Sequence, residues 1–189
     1  MAVKRGEIDR WVDYYQDAFG FRQSMEEDIA TEYSAMNAKV VQTRSGSVIT
    51  VIVEPVPAKR KSPIDEYLTY YGGSGVHHMA FLSNDIIETI GALRTNGVDF
   101  TSTPGAYYDA LESRIGWIPV DMEALRENNI LVDRDERGYL MQIFSTTVQP
   151  RPTFFFELIQ REGARGFGNG NIKALFEAIE REQAARGNA

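Results

Sequence analysis

Imidazole and thiol groups, which suit metal and acid-base chemistry, are scarce in this chain. It has no cysteine and two histidines, the adjacent pair His77-His78. Disulfides, thiolate metal sites and a cysteine nucleophile are therefore excluded, and imidazole chemistry falls to one dipeptide. The second candidate is Glu157, inside the run Arg151-Pro-Thr-Phe-Phe-Phe-Glu157-Leu-Ile-Gln160. Period-two alternation puts Phe155, Glu157 and Ile159 on one face and Phe154, Phe156 and Leu158 on the other. Both faces are apolar, so the strand reads as buried, and its carboxylate with it. A buried carboxylate is paired, protonated or metal-bound. The residues alone leave two readings open, a salt bridge to a buried arginine and a metal ligand. If Val76 to Leu82 is a strand, His77 and His78 point to opposite faces and one of them turns inward. Neutral imidazole with carboxylate and open positions suits non-haem Fe(II); a satisfied core histidine is the plainer alternative. Gln142 and Phe144 share a strand face, where an amide and a ring can line a cavity, or can be an ordinary paired polar group and a core side chain.

The elements that must position these residues follow from periodicity. Ile8, Trp11, Val12, Tyr15 and Phe19 make one helical face, ended by Gly20. Phe21 to Ser24, Ile29 to Ser34, Lys39 to Thr43 and Ser47 to Glu54 read as strands, the last two joined at Arg44-Ser45-Gly46. Pro55, Pro57 and Lys59-Arg60-Lys61 read as a linker. A short helix from Ile64 to Tyr70 follows Pro63 and stops at Gly72-Gly73. After the histidine strand, Asn84 is expected to cap a helix to about Thr95, and Val98 to Thr101 to return as a strand. Tyr107 to Ile115 and Asp121 to Asn128 read as short helices. Ile130 to Gly138 and Tyr139 to Ser145 read as a hairpin. Gly166 to Gly170 reads as a flexible hinge, and Asn171 as the cap of a last helix with the stripe Ile172, Leu175, Phe176 and Ile179.

Helix, glycine stop and strand occur twice in the same order, at Trp11 to Arg22 and at Ile86 to Phe100. This suggests an α+β chain of two duplicated modules, each one strand, one helix and three strands, curling into an open half-barrel. The first module enters its helix without a preceding strand, and the last helix serves as a lid. Residues 1–60 form the first module and 61–189 the second.

The 189 residues, 43% hydrophobic and 11% aromatic, suffice for a packed core. A net charge of −7 argues against nucleic acid. No run reaches membrane-spanning length and the N-terminus is not a signal peptide, so the expectation is a cytoplasmic protein. The glycine-rich stretch is no phosphate loop, because no Lys-Ser or Lys-Thr follows it. Asp133, Asp135 and Gly138 open like a calcium loop, but Arg137 and Phe144 occupy ligand positions, so they read as a solvated hairpin tip.

Taken together, these blocks resemble the C-terminal half of the 4-hydroxyphenylpyruvate dioxygenase and 4-hydroxymandelate synthase family, in the vicinal oxygen chelate (glyoxalase-like) superfamily. The resemblance is carried by Ile29 to Ala35, Ile64 to Leu68, Gly75 to Ala80, Tyr107-Tyr108, Ile130 to Asp133, Gly138 to Phe144, Arg151 to Arg161 and Gly166 to Asn171. It implies iron held by two histidines and a glutamate, with His78 and Glu157 as the ligands this chain carries. It also implies a substrate cavity lined by Gln142, Phe144, Phe155, Phe167, Gly168, Asn171 and Ile172. The first histidine of the family has no counterpart here. Ala38, Val53, Pro63 and His77 stand where the family has other, mostly polar, residues, and Ile172 resembles the mandelate synthases.

The resemblance implies an Fe(II) dioxygenase that decarboxylates an aryl 2-oxo acid with O2, in tyrosine catabolism. Benzylic hydroxylation of the mandelate type is one alternative, and a catalytically incomplete metal-binding or partner domain is another. An unpaired edge in the first module predicts self-association, a homo-oligomer.

Overall fold

The computed structural model describes residues 1–30, 35–57 and 62–174. The cluster Lys59-Arg60-Lys61, the end of the Ile29 to Ser34 strand and the stripe residues Leu175, Phe176 and Ile179 lie outside the described residues. The chain divides into two compact units, Met1–His78 with Thr147–Phe154, and Met79–Thr146 with Phe155–Ala189.

In the first unit, helix α1 (Ile8–Phe19) ends at Gly20, whose φ of 67° is the left-handed turn that a glycine takes without strain. Strands β1 (Arg22–Ala30), β2 (Ala35–Gln42) and β3 (Ile49–Val56) form an antiparallel sheet in that order. The two short strands expected at 21–24 and 29–34 are one strand in the described part. A register shift between Gln23 and Met25 absorbs Ser24 as a bulge. β3 also runs through Pro55, which the sequence placed in a linker. Proline is tolerated there because, among the described residues, the other edge of β3 is bridged at Val53 and not at Pro55.

Met1–Val3 lie along β3, a difference from the expected direct entry into the helix. The Val3 and Val53 amides donate to the Val53 and Met1 carbonyls at 2.9 Å, and Ala2 exchanges two 2.9 Å bonds with Gly75. That pairing covers part of the edge read as exposed. Val3, Ile8, Val12, Val41 and Ile52 are buried together. Helix α2 (Pro63–Tyr71) starts with Pro63 at N1 and a Ser62–Asp65 capping box.

The second unit holds β4 (His78–Leu82, its first residue closing the first unit), α3 (Ile86–Thr95), α4 (Gly105–Asp109), α5 (Leu111–Ile115), α6 (Met122–Asn128), β5 (Leu131–Asp135), β6 (Gly138–Phe144) and β7 (Phe155–Glu162). The sheet order is β4-β7-β6-β5. Helix α3 is capped by Asp85, which accepts from the Glu88 amide at 2.9 Å, rather than by Asn84. The expected helix from Tyr107 to Ile115 is two short helices broken at Ala110. Val98 to Thr101 is no full strand. It makes one bridge, Phe100 to Ser145, with bonds from Thr101 N to Phe144 O and from Thr146 N to Asp99 O, each at 2.9 Å. Ile86, Ile90, Leu111, Leu125, Ile130, Val132, Met141 and Ile143 fill the core between the helices and one sheet face. No helix of the described residues is long and apolar enough to cross a membrane.

Candidate active site

The other face of the second sheet carries the polar candidates. In the β6–β7 register Phe144 lies opposite Glu157 and Gln142 opposite Ile159, while Leu131 of β5 lies opposite Gln142. Phe144, Gln142 and Glu157 therefore share one face, and the Phe155 ring meets Phe144 edge-on at 5.8 Å between centroids. Glu157 is buried, and burial pushes its carboxyl up to about 7 against the opposing pull of the Arg161 guanidinium. Desolvation also lowers Arg161. Neither partner is pulled by the other as strongly as burial penalises its charge. The strand is not buried on both faces throughout: Phe156 is exposed and its ring meets that of Phe81 at a tilt of 43°, 5.7 Å between centroids.

His77 and His78 do not diverge as an uninterrupted strand would require. The strand begins at His78, and the two rings approach, Nδ1 to Nδ1, at 3.2 Å. Tyr67 packs edge-on against His77 at 4.9 Å, and its hydroxyl donates to the Val76 carbonyl. Burial pushes His77 down to about 4 and His78 to about 3, so both imidazoles are neutral at physiological pH.

The glycine-rich segment is not a free hinge where it is described. Asp135 accepts from the backbone N–H groups of Arg165, Gly166, Arg137 and Gly138, and these bonds hold its carboxyl down at about 2. Asp133 accepts from the Gly170 amide at 2.8 Å. Arg161 donates to the carbonyls of Ala164 and Gly166 and sits 5.5 Å from the Phe167 ring centroid. The hairpin tip that read as solvated is thus the anchor of this segment. Gly168 has a φ of 78°, and a Cβ there would collide with the Gln142 amide. Residues 169–174 are helical, so Asn171 lies inside the first turn instead of capping it, with half-buried Ile172 after it.

Asn171 is buried, and its Oδ1 accepts from the Tyr107 hydroxyl and from Arg114. The structure thus gathers Gln142, Phe144, Phe155, Glu157, Phe167, Gly168 and Asn171 within the second unit. Tyr107, Arg114, Asp133, Asp135 and Arg161 were missed as contributors. For Asp133 and Asp135 strand parity was the available signal, since they share a strand face with Leu131, the residue opposite Gln142; local periodicity marked neither Tyr107 nor Arg114. Among the described residues, no group of three or more His, Asp or Glu side chains is gathered as a metal cluster would be.

In the first unit, two of the departures face each other. Ala38 and Val53 are partners in the β2–β3 register, so both departures fall in one cross-strand pair, which is apolar on both strands here. Glu54 is buried beside them and accepts from the amides of Gly6 and Ile8, supplying the cap that Glu7 does not.

A family model for the glyoxalase/bleomycin resistance protein/dioxygenase superfamily matches residues 1–143. The chain belongs to this superfamily. Each unit holds one sheet together with helices, an α+β composition. Among curated superfamily relatives it is 45% identical over 184 residues to a 4-hydroxyphenylpyruvate dioxygenase of Neurospora crassa, covering 93% of this chain and 45% of that protein. It is 46% identical to one of Caenorhabditis elegans, covering 96% and 49%. A solved variant of 4-hydroxymandelate synthase from Streptomyces coelicolor matches with a TM-score of 0.77 at 42% identity, over 96% of this chain and 53% of that one. The chain spans about half the length of the curated relatives it matches.

Proposed function

We propose that this chain is the metal-bearing part of a non-haem Fe(II) dioxygenase that oxidatively decarboxylates an aryl 2-oxo acid of the 4-hydroxyphenylpyruvate type, in tyrosine catabolism. The observation that carries the reading is the buried Glu157 carboxyl on the sheet face it shares with Gln142 and Phe144. The donor set fits the metal: a neutral imidazole and a carboxylate are the ligand types that hold Fe(II) with positions left open. We assign His78 and Glu157 as ligands, with the ligating nitrogen of His78 being Nε2, because its Nδ1 faces His77. The bound metal supplies O2 chemistry and a Lewis-acid seat for the oxo acid. Phe144, Phe155 and Phe167 supply apolar walls that exclude water, Gln142 and Asn171 hydrogen-bond the substrate, and Gly168 lets the backbone pass close to Gln142. Ile172 lies next to Asn171 on the first turn of the closing helix. A cytoplasmic location and self-association belong to the same reading, the latter supported by the exposed side chains of Met79, Phe81, Leu82 and Phe156.

Ile172 favours a second reading, benzylic hydroxylation, since that residue resembles the mandelate synthases and one such synthase is a close structural neighbour. Incubation with Fe(II), O2 and 4-hydroxyphenylpyruvate, followed by chromatography, separates the two. Homogentisate supports the first reading and hydroxymandelate the second. Unchanged acid in a preparation that binds Fe(II) contradicts both and leaves a catalytically incomplete partner domain.

A further inference from the structure

A polar cluster behind Asn171 has no part in the chemistry assigned so far. Asn171 is 1% exposed; its Oδ1 accepts from the Tyr107 hydroxyl at 2.7 Å and from Arg114 Nη2 at 3.1 Å. Arginine can only donate, so the atom that faces it must be the oxygen, and the orientation of the amide follows from chemistry. The Tyr107 hydroxyl has one proton. Its oxygen accepts from the Val132 amide and from Arg114, each at 2.8 Å, and its proton goes to Asn171 Oδ1 at 2.7 Å rather than to Val132 O at 3.0 Å. Arg114 is itself fixed by Val132 O at 2.6 Å and Asp133 Oδ1 at 3.2 Å. Asn171 Nδ2 is thereby turned away from the cluster, buried and without a hydrogen-bond partner among the described residues. Gln142 Oε1 is in the same condition, and Gly168 adjoins both: its carbonyl accepts from the backbone N–H of Asn171 at 2.9 Å, and a Cβ on it would strike the Gln142 side chain. A buried donor and a buried acceptor left unmatched are costly in the free protein and available to a ligand.

We propose that Tyr107 and Arg114 are positioning residues, which hold the Asn171 carboxamide so that Nδ2 is presented as a donor to an oxygen of the bound aryl 2-oxo acid. The inference rests on the proposed substrate class. A positioning role differs from a packing role in one measurable respect, because Tyr107 acts through Asn171.

The test is a double-mutant cycle on the affinity of the Fe(II)-loaded chain for 4-hydroxyphenylpyruvate, measured calorimetrically without O2. Tyr107→Phe and Asn171→Ala are each expected to weaken binding about tenfold, the worth of one hydrogen bond. The double variant is expected to be no weaker than Asn171→Ala alone; losses that multiply to about a hundredfold would overturn the proposal. The side-chain amide resonances of Asn171 in labelled protein give a second readout, expected to move in Tyr107→Phe and in Arg114→Lys. Resonances that stay in place overturn it as well. If Tyr107→Phe does not fold, Arg114→Lys, which keeps a charge beside Asp133, carries the same cycle. A parent chain that fails to bind the acid contradicts the substrate reading, while shifted Asn171 resonances would still uphold the positioning of the amide. Binding with multiplicative losses and unmoved resonances leaves the substrate reading standing and removes this one.

Discussion

Glu157 is the residue at which burial and charge compete most openly. Its carboxyl is raised to about 7 in the folded chain, above the ordinary glutamate value that holds when unfolded. Between pH 4.5 and 7 the native state therefore holds a proton that the unfolded chain has released. Stability is full below that window, is lost as pH rises through it, and levels off above 7. At about 1.4 kcal/mol per unit, the loss is on the order of 3 kcal/mol. Thermal melts at pH 5 and pH 8 should show this fall in the parent and a flattened profile in Glu157→Gln. Fe(II) binding should strengthen over the same window, since the ligating form is the carboxylate. His77 makes the complementary prediction. Because its Nδ1 meets that of His78, His77→Ala should weaken Fe(II) binding about tenfold or more, whereas His77→Gln, which can still hydrogen-bond, should restore most of it. Equal losses in both variants would show that His77 does not orient its neighbour.

At the scale of elements, the segment after β7 is held rather than loose. Asp135 accepts four backbone N–H bonds and is lowered to about 2, so its anchoring is present above pH 4 and lost as pH falls through 2. Asp135→Asn should raise amide exchange at Arg165 and Gly166 at neutral pH while leaving β1–β3 protected; unchanged exchange would deny the anchor. Gly168→Ala forces a side chain into the left-handed region and into Gln142, and should cost about 1–3 kcal/mol in chemical denaturation. Helical and strand periodicity revealed most elements in advance, including α1, the β5–β6 hairpin and Pro63 at the start of α2. Three features were hidden for physical reasons. The Ser24 bulge joins two apparent strands, and a bulge leaves no compositional mark. The short pairing of Met1–Val3 has too few residues to show a period. The Asp135 anchor is a contact between segments 30 residues apart, which local patterning does not report.

At the scale of the molecule, superfamily membership was legible in ordered blocks of motif residues, and the site was legible where strand parity applied. Parity put Gln142 and Phe144 on one face and Glu157 on the matching one, and the β6–β7 register bears this out. It failed at His77-His78, because the strand begins between them, and it was silent on Tyr107 and Arg114, whose role depends on how α4 and α5 meet β5. Exposed Met79, Phe81, Leu82 and Phe156 lead us to expect self-association, which light scattering across a concentration series should register as a mass above 21.3 kDa. A constant monomer mass would count against it.

The most direct measurement is release of labelled CO2 from carboxyl-labelled 4-hydroxyphenylpyruvate, with Fe(II) and O2, by the parent and by Glu157→Ala and His78→Ala. Release by the parent that falls to background in both variants is the expected result. Equal release from the parent and Glu157→Ala, or none from an Fe(II)-bound parent, would contradict the assignment.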